Sequence, residues 1–189
     1  MAFDIYFDSR TTPSAIGGCL SRELGVDESA VFVGTGDELS AALDADADVE
    51  YPYAWLYTSD APGEEFGCVL QARAELPDLA GVVDVTTLAA VLCHRVGTRA
   101  LVEVDANVDL WLLVTADGWY GPVLVDGEAF GEEDALVISA AVRPVPSEPN
   151  IPVYVAGGGE APGWLAKAPA PGRVDVEGIL GNGDGDGAG

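Results

Sequence analysis

The chain has 189 residues, enough for one domain with a tail, and 49% of them are hydrophobic, enough to bury a core. Only 8 basic residues stand against 32 acidic ones, giving a net charge of −24. Such a surface repels nucleic-acid phosphates, and no apolar run reaches the roughly 18 residues of a membrane span, which argues against nucleic acid and membrane as partners.

The opening "MAFDIYFDSR" has no basic n-region or apolar h-region, which predicts a cytoplasmic protein. Within it "FDIYFD" (3–8) reads as a first strand. "TTPSAIGGCLSRELG" reads as a helix: Thr11 or Thr12 caps it, Pro13 suits its first turn and Gly25 ends it. "AVFVG" (30–34) is a strand, "DELSAALDA" a short helix, and "YPYAWLYT" (51–58) and "EFGCVLQARAEL" (65–76) two strands about a turn. "DVTTLAAVLCHRVG" (84–97) is the clearest helix, with Leu88, Val91, Leu92 and Val96 on one face and Gly97 as its stop. "RALVEVD" (99–105) is a strand, residues 109–128 form a hairpin about Asp117-Gly118, and "DALVISAAV" (134–142) is one more strand.

This pattern predicts an α+β domain over residues 1–143, a mostly antiparallel sheet covered on one face by two helices, 13–24 and 84–97. A Pro/Gly-rich extension (144–180) should dock in part, and residues 181–189 should form a disordered tail. Two acidic stretches echo each other. Asp46-Ala47-Asp48-Val49-Glu50 precedes Trp55-Leu56, and Asp105-Ala106-Asn107-Val108-Asp109 precedes Trp111-Leu112. The echo suggests two related βαββ units, with shared turn chemistry of Asp and Asn as the alternative.

The motifs argue against specialised chemistry. Asp44, Asp46 and Asp48 occupy positions 1, 3 and 5 of a calcium loop, but Val49 falls where glycine is needed and Trp55 where a bidentate glutamate is needed. Gly34-x-Gly36 follows a strand, but Asp37 and Glu38 occupy the helix N-terminus that would receive a phosphate. The single histidine, His94, adjoins Cys93 on a helix, where neighbours point about 100° apart. Cys19, Cys68 and Cys93 have neither disulfide nor zinc spacing and read as buried free thiols. Acid pairs such as Glu64-Glu65 are expected by chance and read as a solvated face. The sequence thus predicts no catalytic residue, no metal and no cofactor.

Trp55 and Trp111 read as core, whereas Trp119 or Tyr120 should lie near the surface. Tyr51, Tyr53 and Tyr57 alternate as if on one strand face. Tyrosines beside acids suit a protein-binding patch, and the candidate surface is Asp44, Asp46, Asp48, Glu50, Tyr51 and Tyr53 with Asp105, Asp109 and Trp119. In general character, over residues 1–143, the chain resembles the immunity and antitoxin proteins of bacterial toxin systems, many of which mask a basic toxin with an acidic surface. No motif carries that resemblance and no residue is transferred. It implies a non-catalytic protein that binds a basic protein partner. The alternatives are a metal- or carboxylate-dependent enzyme and an accessory protein whose acidity only gives solubility.

Overall fold

The computed structural model describes residues 2–45, 51–61, 65–104, 110–133, 135–155, 163, 165 and 168–181. The chain is α+β, as expected, with a mostly antiparallel sheet. The elements run in order β1 (Ala2–Phe7), α1 (Pro13–Arg22), β2 (Val31–Val33), α2 (Gly36–Ala45), β3 (Ala54–Thr58) and β4 (Cys68–Arg73). Then come α3 (Leu76–Leu79), α4 (Val85–Val96), β5 (Ala100–Glu103), β6 (Leu110–Val114) and β7 (Trp119–Val125). The chain continues through α5 (Gly127–Glu133), β8 (Ile138–Ala141), β9 (Gly172–Arg173) and α6 (Val176–Gly181). Among the described residues the strands form one nine-stranded sheet in the order β2-β3-β4-β1-β5-β6-β7-β8, with β9 paired to β7.

Local chemistry sets the two long helices of the first face. Thr12 accepts a hydrogen bond from the Ala15 amide at 3.3 Å, and Pro13 opens α1. Asp84 does the same for Thr87 at 2.7 Å, and Gly97, at φ +71°, closes α4 in the left-handed region. α1 packs over β2, β3 and β4; α4 packs over β5, β6 and β7 and touches α1. Residues 87–93 of α4 are all buried, because α6 flanks it from a further side. The shared core includes Ile5, Phe7, Leu20, Leu56, Leu70, Leu88 and Leu92.

The opposite face divides in two. Over β5 to β8 a second core gathers Leu101, Trp111, Leu113, Val123, Leu136 and Val145, with Phe130 of α5 against Trp111 at 6.3 Å. β6 is therefore buried on both faces at Trp111, Leu112, Leu113 and Val114, and "LWLLV" is a continuous apolar run. Over β1, β3 and β4 the pattern alternates. Asp4, Tyr6, Trp55, Tyr57 and Gln71 are only partly buried, while Ile5, Leu56 and Leu70 beneath them are fully buried.

The two units that echo in sequence differ in strand direction. β2 runs parallel to β3 because α2 lies between them, whereas β5 runs antiparallel to β6. The short helices α3, α5 and α6 carry too few periodic apolar residues to stand out in sequence. β9 has two residues, and its partner β7 defines it.

Candidate functional site

Among the described residues, the partly covered half of the second face holds the least conventional chemistry. Strand register builds it. Asp4 lies opposite Gln71 of β4, and Gln71 lies opposite Trp55 of β3. One row along, Tyr6 and Tyr57 flank Val69. The β1–β5 register, continued one step beyond Ile5–Val102, sets Asp4 beside Glu103. Trp55 and Tyr57 stack with ring centroids 4.4 Å apart, and the Trp55 indole N–H donates to the Gly34 carbonyl at 2.8 Å. Tyr6 meets Trp111 edge-on at 5.5 Å.

Asp4 is the centre of this set. The Tyr6 hydroxyl donates to its Oδ2 at 3.5 Å, a long bond. Its Oδ1 is buried and has no hydrogen-bond partner. Burial raises the Asp4 carboxyl above its ordinary value, and the nearby Gln71 and Tyr6 side chains offset that only in part. The Tyr6 phenol is pushed up as well, first by burial and then by the negative charge of Asp4. A native protein leaves few buried oxygens unsatisfied, and each one calls for a reason.

Asp8, just beyond the other end of β1, has the opposite environment. Its side chain is buried, and Arg10 grips it from Nε to Oδ1 at 2.8 Å and from Nη2 to Oδ2 at 2.9 Å. Arg99 Nε adds a bond at 3.2 Å. The Arg10 bond is the largest influence, and it holds the Asp8 carboxyl down at about 2 despite burial. Arg99 also approaches Glu65 and Glu148, and it lies 5.0 Å from the Phe66 ring centre.

Of the residues that the sequence singled out, Asp44, Tyr51, Tyr53 and Trp119 are described. Asp46, Asp48, Glu50, Asp105 and Asp109 lie outside the described residues. Asp44 is exposed near the end of α2, and Tyr51 is 47% exposed before β3. Tyr53 packs on the helix-side core and carries Arg73 over its ring at 4.3 Å. Tyr51, Tyr53 and Tyr57 do not share a strand face, because the regular strand begins only at Ala54. β3 and β6 run in the same direction, so the strands that follow the two acidic stretches begin at one end of the sheet, four positions apart. Trp119 begins β7 at the other end and packs on the second core. Trp111 is core, at 5% exposed, while Trp55 is not fully buried. No sequence motif marks Asp4, Tyr6, Gln71 or Glu103. The only signal was a charge at alternate spacing inside the strand "FDIYF".

Other chemistry does not assemble among the described residues. His94 donates from Nδ1–H to the Ala116 carbonyl at 3.0 Å and faces Glu177 through Nε2 at 3.4 Å, with no thiol partner. All three cysteines are buried and unlinked, and burial raises Cys19 to about 11 and Cys68 to about 12. Asp4, Asp84 and Glu103 border one cleft of about 600 Å³. They do not converge there. Strand alternation turns Asp4 and Glu103 away from Phe3 and Val102, which face the helices, and Asp84 caps α4. No group of three or more His, Cys, Asp or Glu among the described residues could hold a metal ion. No family model, curated protein or solved structure matches this chain, so its chemistry must be read from these residues themselves.

Proposed function

We propose that this chain is a non-catalytic cytoplasmic protein that binds a basic protein partner, in the manner of immunity and antitoxin proteins. One observation carries the reading. Of the 8 basic residues, five arginines are tied up in ion pairs with the chain's own acids: Arg10, Arg73, Arg95, Arg99 and Arg173. A sixth, Arg22, folds back on the Gly18 carbonyl. Exposed acids such as Asp37, Asp44, Asp60, Asp78, Asp126 and Glu128 therefore dominate the outward field. Such a field steers cationic surfaces toward the protein and repels nucleic acid. The buried thiols suit a reducing compartment. No helix among the described residues is long and apolar enough to cross a membrane.

The test is capture of a partner from the native host, followed by association kinetics at rising salt. The on-rate should fall about tenfold or more between low and physiological ionic strength. A salt-independent on-rate, or an unchanged one after Asp44, Asp46 and Asp48 are all replaced by Asn, overturns the proposal. A stable fold that captures nothing at either salt assigns the acidity to solubility alone.

A further inference from the structure

We infer that Asp4, with Tyr6, Gln71 and the Trp55–Tyr57 stack, forms the seat for an arginine side chain of the basic partner. This rests on the reading of the chain as a binder of basic proteins and names the place where such a partner is anchored.

The protein shows the recipe on its own arginines. Arg73 lies over the Tyr53 ring at 4.3 Å with Glu75 at 3.7 Å, and Arg99 lies over the Phe66 ring at 5.0 Å with Asp8 at 3.2 Å. Each site joins an aromatic face to a carboxylate, which suits a planar guanidinium better than a compact ammonium. Around Asp4 the same parts recur more widely spaced: a carboxylate, the phenol of Tyr6 and a tilted aromatic pair two strands away on β3. No described arginine makes an ion pair with Asp4. Arg73, two residues along β4 from Gln71, is held by Tyr53 and Glu75 instead. Among the described residues the buried Oδ1 is thus an acceptor without a hydrogen bond, and only the Gln71 amide lies beside Asp4 as a further donor. A guanidinium N–H would satisfy it and restore the charge that burial opposes. Glu103 alongside raises the negative potential. Asp4, Tyr6, Trp55, Tyr57 and Gln71 all retain some exposure, so a side chain can reach this patch, and Oδ1, which is itself covered, is met once the carboxylate turns outward.

The experiment titrates N-acetylarginine amide into the full-length isotope-labelled chain and follows the amide and indole signals by NMR. Shifts should centre on Tyr6, Gln71 and the Trp55 indole. Asp4→Asn should weaken binding about tenfold or more, as removal of a central charged anchor does. Tyr6→Phe keeps the ring and should weaken it less, and N-acetyllysine amide should bind more weakly than the arginine compound. Asp4→Asn should also melt no lower than the native chain, so lost binding is not lost folding. Shifts centred elsewhere, affinity unchanged by Asp4→Asn, or equal affinity for the lysine compound each overturn the arginine seat. Salt-dependent capture of a basic partner that survives Asp4→Asn also overturns the seat but leaves the binding function standing. If no basic partner is captured at all, the binding function falls, and the arginine titration still decides the seat.

Discussion

Strand β1 carries an aspartate near each end, and the two ends have opposite fates. Asp8 is buried and held by Arg10 and Arg99, so its charge is welcome in the fold. Asp4 is partly buried with an oxygen that no described group satisfies, so its charge is a burden. Both are the same residue type on the same strand. The difference lies in what neighbouring strands supply. β5 begins beside Asp8 and is preceded by Arg99, whereas β4 and β5 place Gln71 and Glu103 beside Asp4. The first site is complete within the chain and stabilises it. The second has no ion-pair partner among the described residues.

The contrast can be broken by substitution. Asp8→Asn should cost the most, about 3 kcal/mol in urea unfolding, because Arg10 and Arg99 lose their shared carboxylate and Arg99 is mostly buried. Asp4→Asn should do the reverse and stabilise the fold by about 1 kcal/mol, since a neutral amide removes the charge that burial and the neighbouring Glu103 oppose. Equal signs for the two substitutions would erase the distinction between the sites.

The pH dependence separates them further, with signs fixed by linkage. The Asp8 carboxyl is depressed to about 2 in the fold, so its stabilisation is present above the unfolded value of about 3.9 and is lost as pH falls from there through about 2. The Asp4 carboxyl is raised. Its contribution is fullest below about 3.9 and declines as pH rises through its folded value. The gain from Asp4→Asn should therefore appear at neutral pH and vanish as pH falls below about 4. Unfolding curves of the variant and native chain at several pH values check this. The described groups that face Asp4 are Tyr6, Gln71 and Glu103, none of them cationic, so none of these reverses the sign. The smallest effect should come from Glu103→Gln. It removes one of two like charges set opposite each other on β1 and β5, and should stabilise by about 0.3 kcal/mol, resolved by comparing midpoints in urea.

Much of the fold was legible because its elements carry strong local signals. Thr12, Pro13 and Asp84 start the long helices, Gly97 stops one, and Gly118 at φ +80° turns the β6–β7 hairpin. The two-helix cover and the antiparallel sheet follow from those elements and their alternation. The aromatics were harder. Trp55 and Trp111 look alike in sequence, each followed by leucine, yet only Trp111 has α5 and its Phe130 above it. That cover comes from a short helix with little periodicity of its own. The candidate site was least legible of all, because Asp4, Gln71 and Trp55 come from three strands and meet only by register.

By itself the sequence determined the class of the protein: an acidic α+β chain, its two capped helices and the alternation of strands such as "FDIYF". Those properties depend on neighbours within a few residues and on composition, which act before the chain folds. The tertiary structure decided which carboxylates are matched. It brought Arg99 to Asp8 across 91 residues and, among the described residues, brought no ion-pair partner to Asp4. Whether a charge is satisfied depends on groups distant in sequence, and strand order and register place those groups.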